Sequence, residues 1–304
     1  MKKLVALLAL TVATAFAVAQ TSSAPSQSST AQSGQAQTTP APAGQAQAQP
    51  ATPAGKPQPQ AKTQEEFKAY QDAVSKPDPA SMEQAANAFV QQFANSELKG
   101  PLYQQVMLQY QNANNGDKTI EVGRKVLSVD PDNAIALVTV AAVLANRTRE
   151  TDLDKEERLG EAKKDAGRAI ELVNAGQGVP GGYPPDRVEA FKNTILSMAY
   201  AAEGQAEFVN NNFAGAEQNL RKSTSIPGVQ PDPVTWFQLT LALDRQAKYA
   251  DAVTAANKCV EVSTGHPVNN YCMQERDRVQ KLAANPPAAK PAPTSPQPTT
   301  VTPK

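Results

Sequence analysis

Between residues 63 and 284 the apolar positions recur every three or four residues, which is the spacing of one face of an α-helix. Ala, Leu, Gln, Glu and Lys dominate this stretch, and all of them favour helix. No segment shows the alternation of a half-buried strand. Turn-forming residues interrupt the pattern often, so it predicts an all-α fold of paired short helices. The breaks fall at Pro77–Pro79, Gly100–Pro101, Asn115–Gly116, Asp130–Pro131, Gly176–Pro185, Pro231–Pro233 and Gly265–Pro267.

The helix pairs repeat with a period of about 34 residues. In the clearest unit, residues 100–133, Tyr103 and Tyr110 mark one helix face and Ile120 marks the second helix, which ends before Pro131. A second clear unit spans residues 233–267. It has Trp236 and Leu239 on its first helix, Ala252 on its second helix, and Pro267 at its end; together these positions fix the register of the repeat.

Both units resemble the tetratricopeptide repeat (TPR), with Tyr103 in the place of the family's Trp and Pro131 in the place of its closing Pro. Three further units fit with more variation, at residues 63–98, 134–174 and 187–225. The resemblance implies a right-handed α-solenoid of about five TPR-like helix pairs. A polar helix at residues 268–284 would cap the last pair.

The first 19 residues are typical of a secretory signal peptide. Lys2 and Lys3 precede an apolar run, and Ala17-Val18-Ala19 predicts cleavage after Ala19. A retained membrane anchor is the alternative, although the run is short for a bilayer span. We expect an exported protein, periplasmic or secreted, without membrane insertion after cleavage.

The two ends of the remaining chain have a composition that does not support a packed core. Residues 20–62 consist mainly of Gln, Ala, Ser, Thr, Pro and Gly, and residues 285–304 are rich in Pro. We expect a disordered linker and a disordered tail around a helical domain at residues 63–284. A proline-motif ligand for another domain is the alternative for either segment.

The whole chain is neutral, with 29 basic and 29 acidic residues. Six of the basic residues and none of the acidic ones lie outside residues 63–284, so the helical region has a net charge of −6. An acidic region with few aromatic residues lacks the basic footprint that nucleic acids require. It also disfavours binding to an anionic membrane surface.

Few residues of the helical region fit a catalytic or metal-binding pattern. His266, the one histidine, lies in a predicted turn, where capping is the better interpretation. Residues 176–181 match a dinucleotide fingerprint only formally, because they follow a helix and contain a proline. Residues 152–163 begin like a calcium loop but lack its Gly and closing Glu. We predict no catalytic residues, no metal and no cofactor.

The two cysteines lie at matching distances on either side of a predicted helix–helix turn. Cys259 is on the second helix of the last unit and Cys272 is on the capping helix, with the turn centred near residues 265 and 266. Such positions face each other in an antiparallel hairpin, within the reach of a disulfide. We predict a Cys259–Cys272 bridge, with two buried free thiols as the alternative.

The TPR resemblance implies that a protein or an extended peptide binds to the concave face lined by the first helices. By register, the groove positions include Gln104, Leu108, Gln111, Asn112, Phe237, Leu241 and Arg245. Ordinary surface or packing is the alternative for each of them. The loop from Gly176 to Pro185, with Tyr183, is a second candidate contact, and a flexible connector is its alternative.

The function predicted from these features is that of a scaffold or adaptor in the cell envelope, without enzyme activity. The first alternative is an enzyme accessory subunit or a weak hydrolase that uses carboxylates in the groove. The second is a self-assembling array.

Overall fold

The computed structural model describes residues 58–287, and these residues form eleven α-helices connected by turns and loops. The signal peptide, residues 20–57 of the predicted linker and residues 288–304 of the tail lie outside the described residues. The helices are α1 (Gln64–Val74), α2 (Pro79–Gln92), α3 (Lys99–Asn112), α4 (Gly116–Val129), α5 (Ala134–Arg147), α6 (Lys155–Asn174), α7 (Pro185–Val209), α8 (Phe213–Thr224), α9 (Pro233–Arg245), α10 (Tyr249–Val262) and α11 (Asn269–Ala284).

Each helix packs against the next one along the chain, so α1 to α10 form five pairs and α11 packs against both helices of the fifth pair. The predicted all-α array of five helix pairs with a terminal helix is therefore confirmed. Short polar residues begin several of the helices by accepting bonds from free backbone N–H groups. Asp78, for example, accepts from the N–H groups of Ala80 and Ser81 at 3.0 and 2.9 Å.

The same turn joins the two helices of the second, fourth and fifth pairs. Its second residue has a left-handed backbone, with φ of 55° at Asn114, 60° at Asn211 and 56° at Ala247. In each case the following N–H bonds to a carbonyl five residues earlier, at 2.9 to 3.0 Å. This recurrence shows that the chain repeats one structural unit, as the sequence period predicted.

The buried apolar side chains fall into three clusters. The largest joins residues between 70 and 206, the second joins residues between 216 and 279, and the third contains Cys259, Val268 and Cys272. Full burial of a side chain such as Leu102 or Leu159 stabilises the fold by about 2 kcal/mol. A single helix pair cannot bury this much surface, so the pairs are stable only when stacked.

A glycine of α7 allows the backbones of α7 and α8 to approach each other closely. A Cβ atom at Gly204 would lie 2.6 Å from Cγ of Leu220, which is fully buried. A second close approach occurs at Gly123 of α4, where a Cβ would overlap Val140 of α5. The glycines at these positions therefore set the distance between neighbouring helices.

The third pair has a longer internal connection than the others, at residues 148–154. Two hydrogen bonds fix its N-terminal part. Arg158 Nε donates to Thr148 Oγ1 at 3.0 Å, and Asn211 Nδ2 donates to Glu150 Oε1 at 2.9 Å. The connection is thus tied to the turn of the fourth pair. None of the helices within residues 58–287 combines the length and the apolar character that a membrane crossing requires.

Candidate functional site

Charged residues are distributed unevenly between the two helices of a pair. In the second and third pairs, α3 and α5 contain one charged residue each, Lys99 and Arg147, both at a helix end. Their partners α4 and α6 contain five and ten. In the fifth pair α9 contains only Asp244 and Arg245, at its C-terminal end. α7 departs from the pattern, although four of its six charged residues lie within residues 186–192.

The four predicted groove positions of α3 have different surroundings. Gln104 accepts a hydrogen bond from Nδ2 of Asn133, the first residue before α5, at 2.9 Å, so this amide links the second pair to the third. Leu108 is half-buried and packs against the largest core cluster. Gln111 is half-buried and Asn112 is exposed. Of the four predicted positions, Asn112 is therefore the most accessible, and Gln111 is partly accessible.

The three predicted positions of α9 are also unlike one another. Phe237 packs edge-on against Tyr271 of α11, with ring centroids 6.3 Å apart. The guanidinium of Arg245 lies 5.8 Å from the ring centres of both Phe208 and Phe213, so it packs against the fourth pair. Leu241 is half-buried and lies outside all three core clusters.

An amide pair that the sequence analysis did not identify connects the third and fifth pairs. Gln238 Nε2 of α9 donates to Asn146 Oδ1 of α5 at 3.0 Å, and Asn146 Nδ2 donates to the carbonyl of Ala142 at 2.9 Å. Gln238 corresponds to Gln105 when the turns of the second and fifth pairs are aligned, and Gln105 is not one of the predicted groove positions. The repeat register therefore gave no signal for Gln238.

These observations define a surface that we name the first-helix face. It comprises five accessible uncharged residues of α3, α5 and α9, namely Gln111, Asn112, Asn146, Gln238 and Leu241. Amide side chains can both donate and accept hydrogen bonds without the desolvation cost of a charge. Such a surface suits the backbone of another chain, which presents donors and acceptors in alternation.

The predicted second contact, the loop between α6 and α7, is held in place by packing. The ring of Tyr183 is edge-on to Phe191 at 6.5 Å, and the guanidinium of Arg187 lies 5.7 Å from its centre. The carbonyl of Gly181 accepts a hydrogen bond from Gln58 Nε2 at 3.1 Å. The chain's own N-terminal segment therefore already contacts this loop.

The two cysteines lie together, as the sequence predicted. Their Cα atoms are 5.6 Å apart and their sulfur atoms are at disulfide distance. Both side chains are fully buried between α10 and α11, beside Val268. The cysteine pair therefore joins the terminal helix to the fifth pair.

A buried carboxylate fastens the first pair to the second. Glu83 of α2 accepts from the hydroxyl of Tyr110 at 2.8 Å and from Lys125 Nζ at 2.6 Å, and Lys118 Nζ lies 3.3 Å away. Burial opposes its ionisation, but the hydrogen bonds from Lys125, Tyr110 and Lys118 hold the pKa of Glu83 below its usual value. All the partners of this carboxylate are side chains of the second helix pair, so its role is structural.

Three other carboxyl groups have a raised pKa, and for Asp232, which precedes α9, the largest cause is burial. Asp165 of α6 is buried, and one of its oxygens has no hydrogen-bond partner. Burial, followed by the charge of Glu161, raises the pKa of Asp165 to about 6. Burial also raises the pKa of Glu203 on α7. Different charged residues surround Asp165 and Glu203, so these two carboxyl groups do not form an acid–base pair. These residues are Glu161, Lys164 and Arg124 for Asp165, and Lys222, Glu207 and Lys163 for Glu203.

Within residues 58–287 no three His, Cys, Asp or Glu side chains are grouped in a way that could hold a metal ion. His266 accepts a hydrogen bond at Nδ1 from the backbone N–H of Val268 at 3.2 Å, and so it stabilises the turn before α11. This is the capping role that the sequence indicated.

No family model matches the chain, and no curated protein matches it. Among solved structures, the chain is similar to the TPR domain of P58(IPK), with 10% sequence identity and a TM-score of 0.27. The match covers 72% of this chain and 65% of that one. A TM-score this low carries no weight for fold or function. The chain's own helix pairs and recurring turns make it a helical repeat array.

Proposed function

We propose that this protein is a scaffold whose first-helix face binds a protein partner through an extended segment of that partner. The observation that carries the proposal is the uneven distribution of charge between paired helices. Charged residues are nearly absent from α3 and α5 and abundant on α4 and α6. The accessible polar residues of the first helices are instead mainly amides.

Physical chemistry links this distribution to binding. A surface that only faces water gains solubility from charges, as α6 does. A surface that must lose its water on binding is favoured by uncharged groups, because unpaired charges are costly to desolvate. Amides at Gln111, Asn146 and Gln238 would pair with peptide groups, and Leu241 would contact an apolar side chain of the partner.

The proposal includes the cell envelope as the site of action. The basic start, apolar run and small-residue site at residues 1–19 support export and cleavage after Ala19. Residues 20–57 would then separate the array from the new N-terminus. Mass spectrometry of the mature protein tests this step. We expect a chain that begins at Gln20, and an intact N-terminus would contradict export by cleavage.

Site-specific photocrosslinking in the native cells tests the binding face. A photoreactive residue at Leu241 should crosslink one defined partner, whereas the same residue at Asn257, an exposed position on α10, should not. The crosslinked partner peptide, read by mass spectrometry, should be an uncharged extended segment. Equal crosslinking at both positions would show that the first-helix face is not the binding surface.

A further inference from the structure

Three aromatic side chains lie together at the C-terminal end of the array. Trp236 and Phe237 of α9 are half-buried and pack against the cluster around Cys259 and Cys272. Tyr271 of α11 is 44% exposed and meets Phe237 edge-on at 6.3 Å. We name Trp236, Phe237 and Tyr271 the aromatic patch. Phe237 and Tyr271 both stay partly accessible although they touch, so their contact leaves apolar surface uncovered.

The surroundings of the aromatic patch add uncharged hydrogen-bonding groups. Asn270 and Gln274, next to Tyr271 and one turn beyond it on α11, are both exposed. Aromatic rings beside polar groups form the kind of surface that binds polyproline segments, because proline rings stack on aromatic faces. The extended proline helix also leaves its carbonyls free to accept hydrogen bonds.

The chain itself contains such a segment directly after α11. Residues 291–298 read PAPTSPQP, in which every second or third residue is proline and none is charged. We propose that this segment of the C-terminal tail docks on the aromatic patch. The stiffness of a proline-rich chain lowers the entropy that binding costs, and the tether raises the local concentration of the segment.

The distances permit this docking. Ala284, at the end of α11, is 13 residues from Tyr271, which corresponds to about 20 Å along a helix. An extended proline-rich chain covers about 3.1 Å per residue, so roughly seven residues bridge that distance. A tail that turns back along α11 therefore brings residues 291–298 to the aromatic patch.

Docking of the tail would cover Phe237 and the C-terminal end of the first-helix face. The inference thus rests partly on the proposed function, since a docked tail would compete with a partner there. The α3 part of the first-helix face, Gln111 and Asn112, belongs to another helix pair and is separate from the aromatic patch. Variants at the two places distinguish the two proposals.

The fluorescence of Trp236, the one tryptophan of the chain, reports on the patch directly. The test compares the full chain with a full-length variant in which Pro291, Pro293, Pro296 and Pro298 are changed to Ala. We expect the variant to show red-shifted emission and faster quenching by acrylamide, because Trp236 loses its cover. A synthetic peptide of residues 288–304, added to the variant, should reverse both changes in a saturable way.

Two controls make the outcome decisive. Tyr271→Ser should abolish the effect of the peptide while circular dichroism stays unchanged, because this side chain is largely exposed. A Gln111→Glu, Asn112→Glu variant on α3 should keep the tail effect even where it loses the partner. Identical emission from the full chain and the proline variant, without any response to the peptide, would overturn the proposal. A response only to a peptide of residues 20–57 would overturn the choice of segment.

Discussion

The buried carboxyl of Asp165 gives a prediction with a defined sign and pH window. Replacing it with asparagine removes the charge while keeping the shape of the side chain. Because the pKa of Asp165 is raised from 3.8 to about 6 in the folded protein, the native state binds more protons than the unfolded state between these values. The free energy of unfolding therefore falls as the pH rises through this window, and Asp165→Asn should remove that fall.

The magnitude follows from the size of the shift. Two pKa units correspond to about 3 kcal/mol, which is an upper limit for the penalty at neutral pH. This shift already includes the opposing charges of Lys164 and Arg124. Water reaches part of the side chain and reduces the penalty further, so about 1–2 kcal/mol is the expected gain in the variant. At pH 4 the two proteins should have nearly equal stability, because Asp165 is then protonated in the folded state.

Urea denaturation followed by circular dichroism at pH 4, 5.5 and 7.5 measures this difference. The matched control is Asp72→Asn, at an exposed position of α1, and it should change stability by a few tenths of a kcal/mol at every pH. A stability difference for Asp165→Asn that is independent of pH would refute the reasoning. So would a variant that is less stable than the wild type at pH 7.5.

Further predictions concern packing, the backbone and the cysteine pair. Gly204→Ala should lower the free energy of unfolding by about 1–3 kcal/mol, because the new methyl group overpacks the contact with Leu220. Gly160→Ala, whose methyl group would meet no atom within 4 Å, should leave that free energy unchanged or raise it by up to about 1 kcal/mol. Urea denaturation measures both. Ala247→Gly should raise stability by about 0.5–1 kcal/mol, because φ there is 56°. The double variant Cys259→Ala, Cys272→Ala should lower the free energy of unfolding by about 3 kcal/mol and speed amide hydrogen exchange in α11. An unchanged exchange rate would contradict the bridge.

Local sequence signals were sufficient to predict most of the helical array. The turn residues Asn115 and Gly116 predicted the break between α3 and α4, and α4 begins at Gly116. The cysteine pair was predictable for the same reason, since a helical hairpin places residues at equal distances from its turn side by side. These features depend on short stretches of chain, so the sequence alone contains the necessary information.

Contacts between distant helices do not follow from local sequence signals. The hydrogen bond between Asn146 and Gln238 depends on how the 25-residue α7 places the fifth pair against the third. The register indicated that Phe237 lines the groove, but packing of α11 brings Tyr271 against it. Asp165 lies among charged neighbours and resembled a solvated position, whereas the stacking of the pairs buries it.

The central claim is that the first-helix face binds an extended uncharged segment, and selection of random peptides on the purified chain tests it most directly. Two variants carry the comparison: Gln111→Glu with Leu241→Glu on that face, and Gln218→Glu with Asn257→Glu at exposed positions of second helices. We predict that the selected peptides are uncharged, lose binding to the first variant and keep it to the second. Peptides that bind both variants as well as the wild type would contradict the account.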